Sequence, residues 1–285
     1  MPIEITDAEK KLLATITIPP RPEVLLTLSS EAKQPEPDVS KIAHAITEDI
    51  SISSAVLQVV NSAAFRRASE IKSIDQAVMI LGFKRIFPLV KAVALRSSLS
   101  QSQTLAEFWQ QQTDIAHACS IAAKAMGKPA LGDHAYMLGL FNSAGIPVMA
   151  QSFADYSEVM AQAEQQGWSE CLPLELDRYQ TTHTTIGALL AQRWSLPKVM
   201  ISVIYYLHEV DDLYTSGELD NTGLDLLTLL KLARSAVYYP NDYSNDPEWQ
   251  LVCDQIMDHY GYAEVQVDEI FTSIQEGLEE HRQND

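Results

Sequence analysis

Seven histidines, His44, His117, His134, His183, His208, His259 and His281, are the side chains of this chain best suited to hold a metal or carry a proton. A helical enzyme that cleaves phosphate esters needs His and Asp from several helices, because a hard cation and developing phosphoryl charge require both. No histidine here is directly followed by aspartate, and none falls in H-E-x-x-H or a comparable ligand pair. A G-x-S-x-G elbow, a Walker A loop and a G-x-G-x-x-G fingerprint are also missing. Asp114 and His117 stand one helical turn apart, a spacing expected of a salt-bridged or solvated face rather than of a ligand pair. Cys119, Cys171 and Cys253 are widely spaced, odd in number and without basic neighbours, so neither a disulfide framework nor an activated thiolate is indicated.

Charge gives a second place to look. The chain carries 38 acidic and 20 basic side chains, a formal net charge of −18, and so repels nucleic acid and anionic membrane surfaces. Between Asn61 and Ser100, however, Arg66, Arg67, Lys72, Lys84, Arg85, Lys91 and Arg96 outnumber Glu70 and Asp75. A solvated helix face accounts for such a stretch, and so does a surface for an acidic partner, a nucleotide messenger or the acidic tail of the same chain. No signal-peptide pattern and no run of about eighteen apolar residues appears, which together with the cysteine usage fits the cytoplasm.

The elements that must position these residues read as helices. From Asp49 to Ala63, Ile52, Ala55, Val56, Val59, Val60 and Ala63 recur at helical spacing. Ser73-Ile74-Asp75-Gln76 is a capping box that opens a short helix, and Gly82 ends it. The next helix carries Phe83, Ile86, Phe87, Val90, Val93 and Ala94 on one side, with Pro88 in its first turn or kinking it. Thr104 to Glu107 is a second capping box, Asp133 and Thr182 are further caps, and Pro197 suits a first turn. Phe108 and Trp109 read as core rather than as a stacking platform, and Asn61-Ser62 as a local turn device. No two-residue alternation is sustained, so the expected fold class is all-α, with a boundary around Thr215 to Gly223.

Ile46-x-x-Asp49, then Val59-Val60-Asn61-Ser62-Ala63-x-Phe65, then Ile71-x-Ser73-Ile74-x-x-Ala77-x-x-x-Leu81-Gly82 resemble the signature of HDOD domains, the HD-related output domains of bacterial signalling. The resemblance continues through Phe108-Trp109, Gly139-Leu140-Phe141, His183-x-x-x-Gly187-x-x-Leu190, Trp194-x-Leu196-Pro197 and His208. It implies a multi-helical HD-like bundle over 19–212; outside the resemblance, a helical extension is expected over 1–18 and an acidic helical region over 213–285 that packs on the domain or follows it.

HDOD domains are similar to the HD superfamily of metal-dependent phosphohydrolases, where a GLLHDIG-like helix supplies a His-Asp pair to the metal. The matching stretch here is Gly139 to Gly145, so the resemblance puts Asn142 in place of the histidine and Ser143 in place of the aspartate. An upstream ligand histidine aligns with Gln111, while His183 and His208 match later histidine positions. A neutral amide and a hydroxyl do not supply the imidazole and carboxylate that anchor a divalent ion. The expectation is therefore a non-enzymatic regulatory module without metal or cofactor, acting on another signalling protein. The alternative is a sensor that binds a nucleotide or other anion in the degenerate cavity (Gln111, Asn142, Ser143, His183, His208) or on the basic surface (Arg66, Arg67, Lys84, Arg85). For His183 and His208 the plainer account is buried histidines with hydrogen-bond partners. Neither general nucleic-acid binding nor membrane association is expected, and the oligomeric state is left open.

Overall fold

A computed structural model describes residues 23–61, 71–99, 106–194 and 196–283, all of them helices and their connections, with no strand among the described residues. The extension expected over 1–18, the start of the capping box at Thr104, and Arg66 and Arg67 lie outside these residues. The described chain falls into two compact units, one of residues 23–110 with those after 275, the other of residues 111–275.

In the first unit, helices α1 (Glu23–Glu31), α2 (Val39–Thr47), α3 (Ile50–Asn61), α4 (Ile74–Leu81) and α5 (Phe83–Leu99) pack around Leu25, Leu28, Ile42, Ile46, Ile52, Val56, Ala77 and Ile86, all buried. Asp38 opens α2, its carboxylate accepting the Ser40 and Lys41 backbone N–H groups; such a cap is worth about 1 kcal/mol. Ser73 opens α4 as its sequence predicts, accepting the Gln76 N–H at 3.2 Å. The reciprocal bond differs by one residue, for Gln76 Oε1 accepts from the Lys72 N–H at 2.8 Å instead of from Ser73. Gly82 ends α4 with φ +70°, a conformation open to glycine. Pro88 sits just past the first turn of α5, where it removes one donor from the hydrogen-bond ladder.

Asn61 is the local device its motif suggests. Its Oδ1 accepts the Ile71 N–H at 2.8 Å and its Nδ2 donates to Ile71 O at 2.9 Å. The side-chain amide thus copies a paired peptide group and clamps the two ends of the segment between α3 and α4.

The second unit begins within α6 (Ala106–Ala125) and continues through α7 (Gly132–Phe141), α8 (Gly145–Ser152), α9 (Tyr156–Gln166), α10 (Trp168–Tyr179), α11 (His183–Arg193), α12 (Lys198–Tyr205), α13 (Asn221–Tyr238), α14 (Pro247–Tyr260) and the first turns of α15 (Glu264–Arg282). Asp133 stands in the first turn of α7 and does not cap it; Leu131 precedes the helix, because a short 3-10 turn at Pro129–Leu131 leads straight in. Thr182 caps α11 as predicted, accepting the Thr185 N–H at 3.2 Å, and Pro197 immediately precedes α12. Within this unit α11 packs on α8 and α12, and α13 on α7 and α12. The region beyond Thr215 therefore supplies a helix, α13, to the heart of the unit. Asp114 and His117 are both buried on α6, not on a solvated face; the His117 ring stands edge-on to Tyr136 of α7 at 5.2 Å.

Candidate functional site

Two glycines set the geometry. A Cβ on Gly139 would lie 2.5 Å from Ala116 Cα, and one on Gly145 would lie 1.9 Å from the His183 carbonyl oxygen. The α6–α7 and α8–α11 crossings are thus closer than any side chain permits, and the link Asn142–Ser143–Ala144 is held between them. This explains the G-L-F-x-x-x-G spacing as packing, independent of any chemistry at the positions between.

Those positions form a closed polar cluster. Asn142 Nδ2 donates to Gln112 Oε1 at 2.8 Å and also to Gly139 O, which fixes the amide so that Oδ1 faces the other way. Oδ1 accepts from Ser143 Oγ at 2.8 Å and from Arg234 Nη1 at 2.7 Å; the same Nη1 donates to Ser143 Oγ at 3.1 Å. Arg234 comes from α13 and is only 4% exposed. Gln112, not Gln111, reaches the cluster. Gln111 is exposed, because Gln112 shares the helical phase of the buried Ile115, Ala116 and Cys119.

Two carboxylate–histidine pairs stand near it. Glu175 on α10 takes the Tyr156 hydroxyl on one oxygen, and on the other meets His183 Nδ1 at 2.9 Å and the His183 N–H at 3.1 Å. Burial would push the Glu175 carboxyl up, but His183 and Tyr156 hold it below its ordinary range. Glu248, on α14, accepts the Trp168 N–H at 2.9 Å and Lys231 Nζ at 3.2 Å, and its Oε1 lies 2.8 Å from His208 Nδ1. Burial raises that carboxyl too, while His208, Lys231 and Arg234 outweigh it and leave Glu248 well below the usual carboxylate range. Burial pushes His208 the other way, down to about 3, against the pull of Glu248, so its imidazole is neutral near pH 7. The His183 and His208 rings are 5.1 Å apart with Trp168 against His183, and the Nε2 of neither ring has a protein partner.

The structure thus brings Asn142, Ser143, His183 and His208 into the second unit. Of the basic surface, Arg66 and Arg67 and the side chain of Lys84 lie outside what is described, and Arg85 is exposed on α5. Sequence reasoning missed Gln112, Glu175, Lys231, Arg234 and Glu248. For Lys231 and Arg234 a signal exists, namely cations in register with Leu227 and Leu230 on an apolar helix face. Burial raises the thiols of Cys119 and Cys171, which disfavours their nucleophilic thiolate forms.

The HDOD domain family model matches residues 18–210. An uncharacterized protein of Treponema pallidum (strain Nichols) is 30% identical over 216 residues, covering 73% of this chain and 42% of its own length. The chain therefore spans less than half of that relative. A solved structure from Shewanella amazonensis SB2B, provisionally named a phosphohydrolase, aligns with a TM-score of 0.69 at 21% identity over 97% of both chains. One from Marinobacter aquaeolei VT8, provisionally named a signal transduction protein, aligns with a TM-score of 0.65 at 22% identity over 98% of this chain and 61% of that one. These likenesses establish the all-helical HD-like fold.

A divalent metal, which that fold implies, does not fit the residues present. The facing groups are an amide, a hydroxyl and a guanidinium, and a buried cation repels a second one. Among the described residues no group of three or more His, Cys, Asp and Glu side chains could hold a metal ion. No helix among them is long and apolar enough to cross a membrane.

Proposed function

Since the chain belongs to the HDOD family, we propose that it is a non-catalytic signal-transduction module that regulates another signalling protein by direct contact. The observation that carries this reading is the Arg234 guanidinium hydrogen-bonded to Asn142 Oδ1 and Ser143 Oγ, where a phosphohydrolase of this fold would need acceptors for its metal. An HD-type hydrolase polarises phosphoryl oxygen and deprotonates water through that ion; amide, hydroxyl and guanidinium together do neither. With catalysis gone, what the fold still offers is a rigid helical surface.

The test is to purify the protein, measure bound iron, manganese and zinc, and assay nucleotide and cyclic-dinucleotide hydrolysis with each metal added. The expected result is no stoichiometric metal and no turnover. Turnover that disappears in His183→Ala and His208→Ala variants overturns the proposal. Affinity capture from the source cell with mass spectrometry then identifies the partner.

The anion-sensor reading is the weaker one at the buried cluster, because Arg234, His183 and His208 are all buried and the neutral His208 presents no charge to an anion. A thermal-shift screen against nucleotides separates the two: a specific ligand raises the melting temperature by mass action.

A further inference from the structure

We infer that Arg234 is a tethered internal cation that takes the place of a metal ion in this fold, so that the chain's own α13 completes a centre that residues 18–210 leave without its charge. The inference rests on the proposed non-catalytic reading and adds what occupies the centre.

Three observations support it. The first is ligation geometry: Asn142 Oδ1 and Ser143 Oγ present lone pairs to one nitrogen, Nη1, at 2.7 and 3.1 Å. The second is orientation. Asn142 Nδ2 is bonded to Gln112 Oε1 and Gly139 O, so the amide is locked with its oxygen toward the guanidinium, as outer hydrogen bonds lock a metal ligand. The third is charge placement. Among the described residues no carboxylate is hydrogen-bonded to Arg234, yet its charge adds to His208 and Lys231 in holding the Glu248 carboxyl low and opposes protonation of His208, so it is felt through the cluster as a bound ion's would be. A buried guanidinium bonded mainly to neutral groups is costly unless the site is built for a cation. Arginine suits it because its charge is permanent and its planar donors are fixed.

Two sets of variants of the full chain test this. In the first, Arg234→Ala lowers the melting temperature, and millimolar N-ethylguanidinium restores part of the loss where the uncharged N-ethylurea of the same shape does not. In the second, Asn142→His/Ser143→Asp is titrated with Mn²⁺ alone and with Arg234→Met added. The triple variant is expected to bind Mn²⁺ roughly tenfold more tightly or better, because a like charge has been removed from a buried site. Equal rescue by the two additives overturns the inference. So does an equal Mn²⁺ response of the double and triple variants, whether both bind or neither does. Turnover by the unaltered protein would instead end the non-catalytic reading and leave both comparisons to be made, so the two ideas fail separately.

Discussion

Lowering the pH from 7.5 to 5 should cost the folded protein about 2 kcal/mol through His208 alone. The imidazole is fully buried beside Glu248 and His183, within reach of the Arg234 charge, and burial carries it from 6.5 down to about 3. Its folded value lies below its unfolded one, so between those values the unfolded chain binds the extra proton. Stability from this group is complete above about pH 6.5 and is lost as pH falls toward 3, at about 1.4 kcal/mol per pH unit. Stopping at pH 5 keeps most carboxylates out of their titration range. The measurement is urea unfolding of the unaltered protein and of His208→Gln at half-unit steps from pH 7.5 to 5. The variant loses a buried ring packed beside Glu248 and starts less stable, but its curve is flatter, and the gap between the two proteins closes by about 2 kcal/mol across the range. The other six histidines are common to both chains and cancel in the difference. Parallel curves would refute the reasoning, since they would mean that His208 protonates in the folded protein as readily as in the unfolded one.

Three further outcomes follow from the same contacts. Glu248→Gln keeps the shape but removes the charge that Lys231 and the Trp168 and Ser169 N–H groups meet, and thermal or urea unfolding should register a loss of about 3 kcal/mol, typical of a broken buried ion pair. Gly145→Ala drives a Cβ into the His183 carbonyl oxygen and should cost about 3 kcal/mol or prevent folding, whereas Gly217→Ala, at φ +77° in open space, should cost only about 1 kcal/mol; soluble yield and melting temperature rank the two. Asn61→Ala leaves both peptide groups of Ile71 without the clamp and should destabilise by about 1–2 kcal/mol, with hydrogen exchange rising first at the Ile71 amide.

Most of the helices were legible because their information is local. Ser73, Gly82 and Thr182 act within one turn of themselves, and an apolar stripe every third or fourth residue names the buried face without reference to the rest of the chain. The HDOD resemblance extended this to Asn142 and Ser143, since a motif conveys position along the chain. It did not convey rotation. Among the consecutive glutamines 110 to 112, a step of one residue turns the side chain by about 100°, and only the phase shared with Ile115 and Cys119 brings Gln112 to the cluster. What Arg234 meets was illegible for a further reason. It lies 92 residues from Asn142, beyond the family-matched segment, and a cation in a Leu-rich helix ordinarily extends its stem and returns its charge to water. The face that carries Leu227 and Leu230 faces inward here, so the charge is carried inward as well and is stabilised only where lone pairs await it. The acidic C-terminal region is thus part of the site, not an appendage to it. Removing 213–285 would take away Arg234, Lys231 and Glu248 together, and in a fragment of 1–212 the amides of residues 111–212 should lose their protection from hydrogen exchange. Protection retained there would show that the centre stands without its tethered cation.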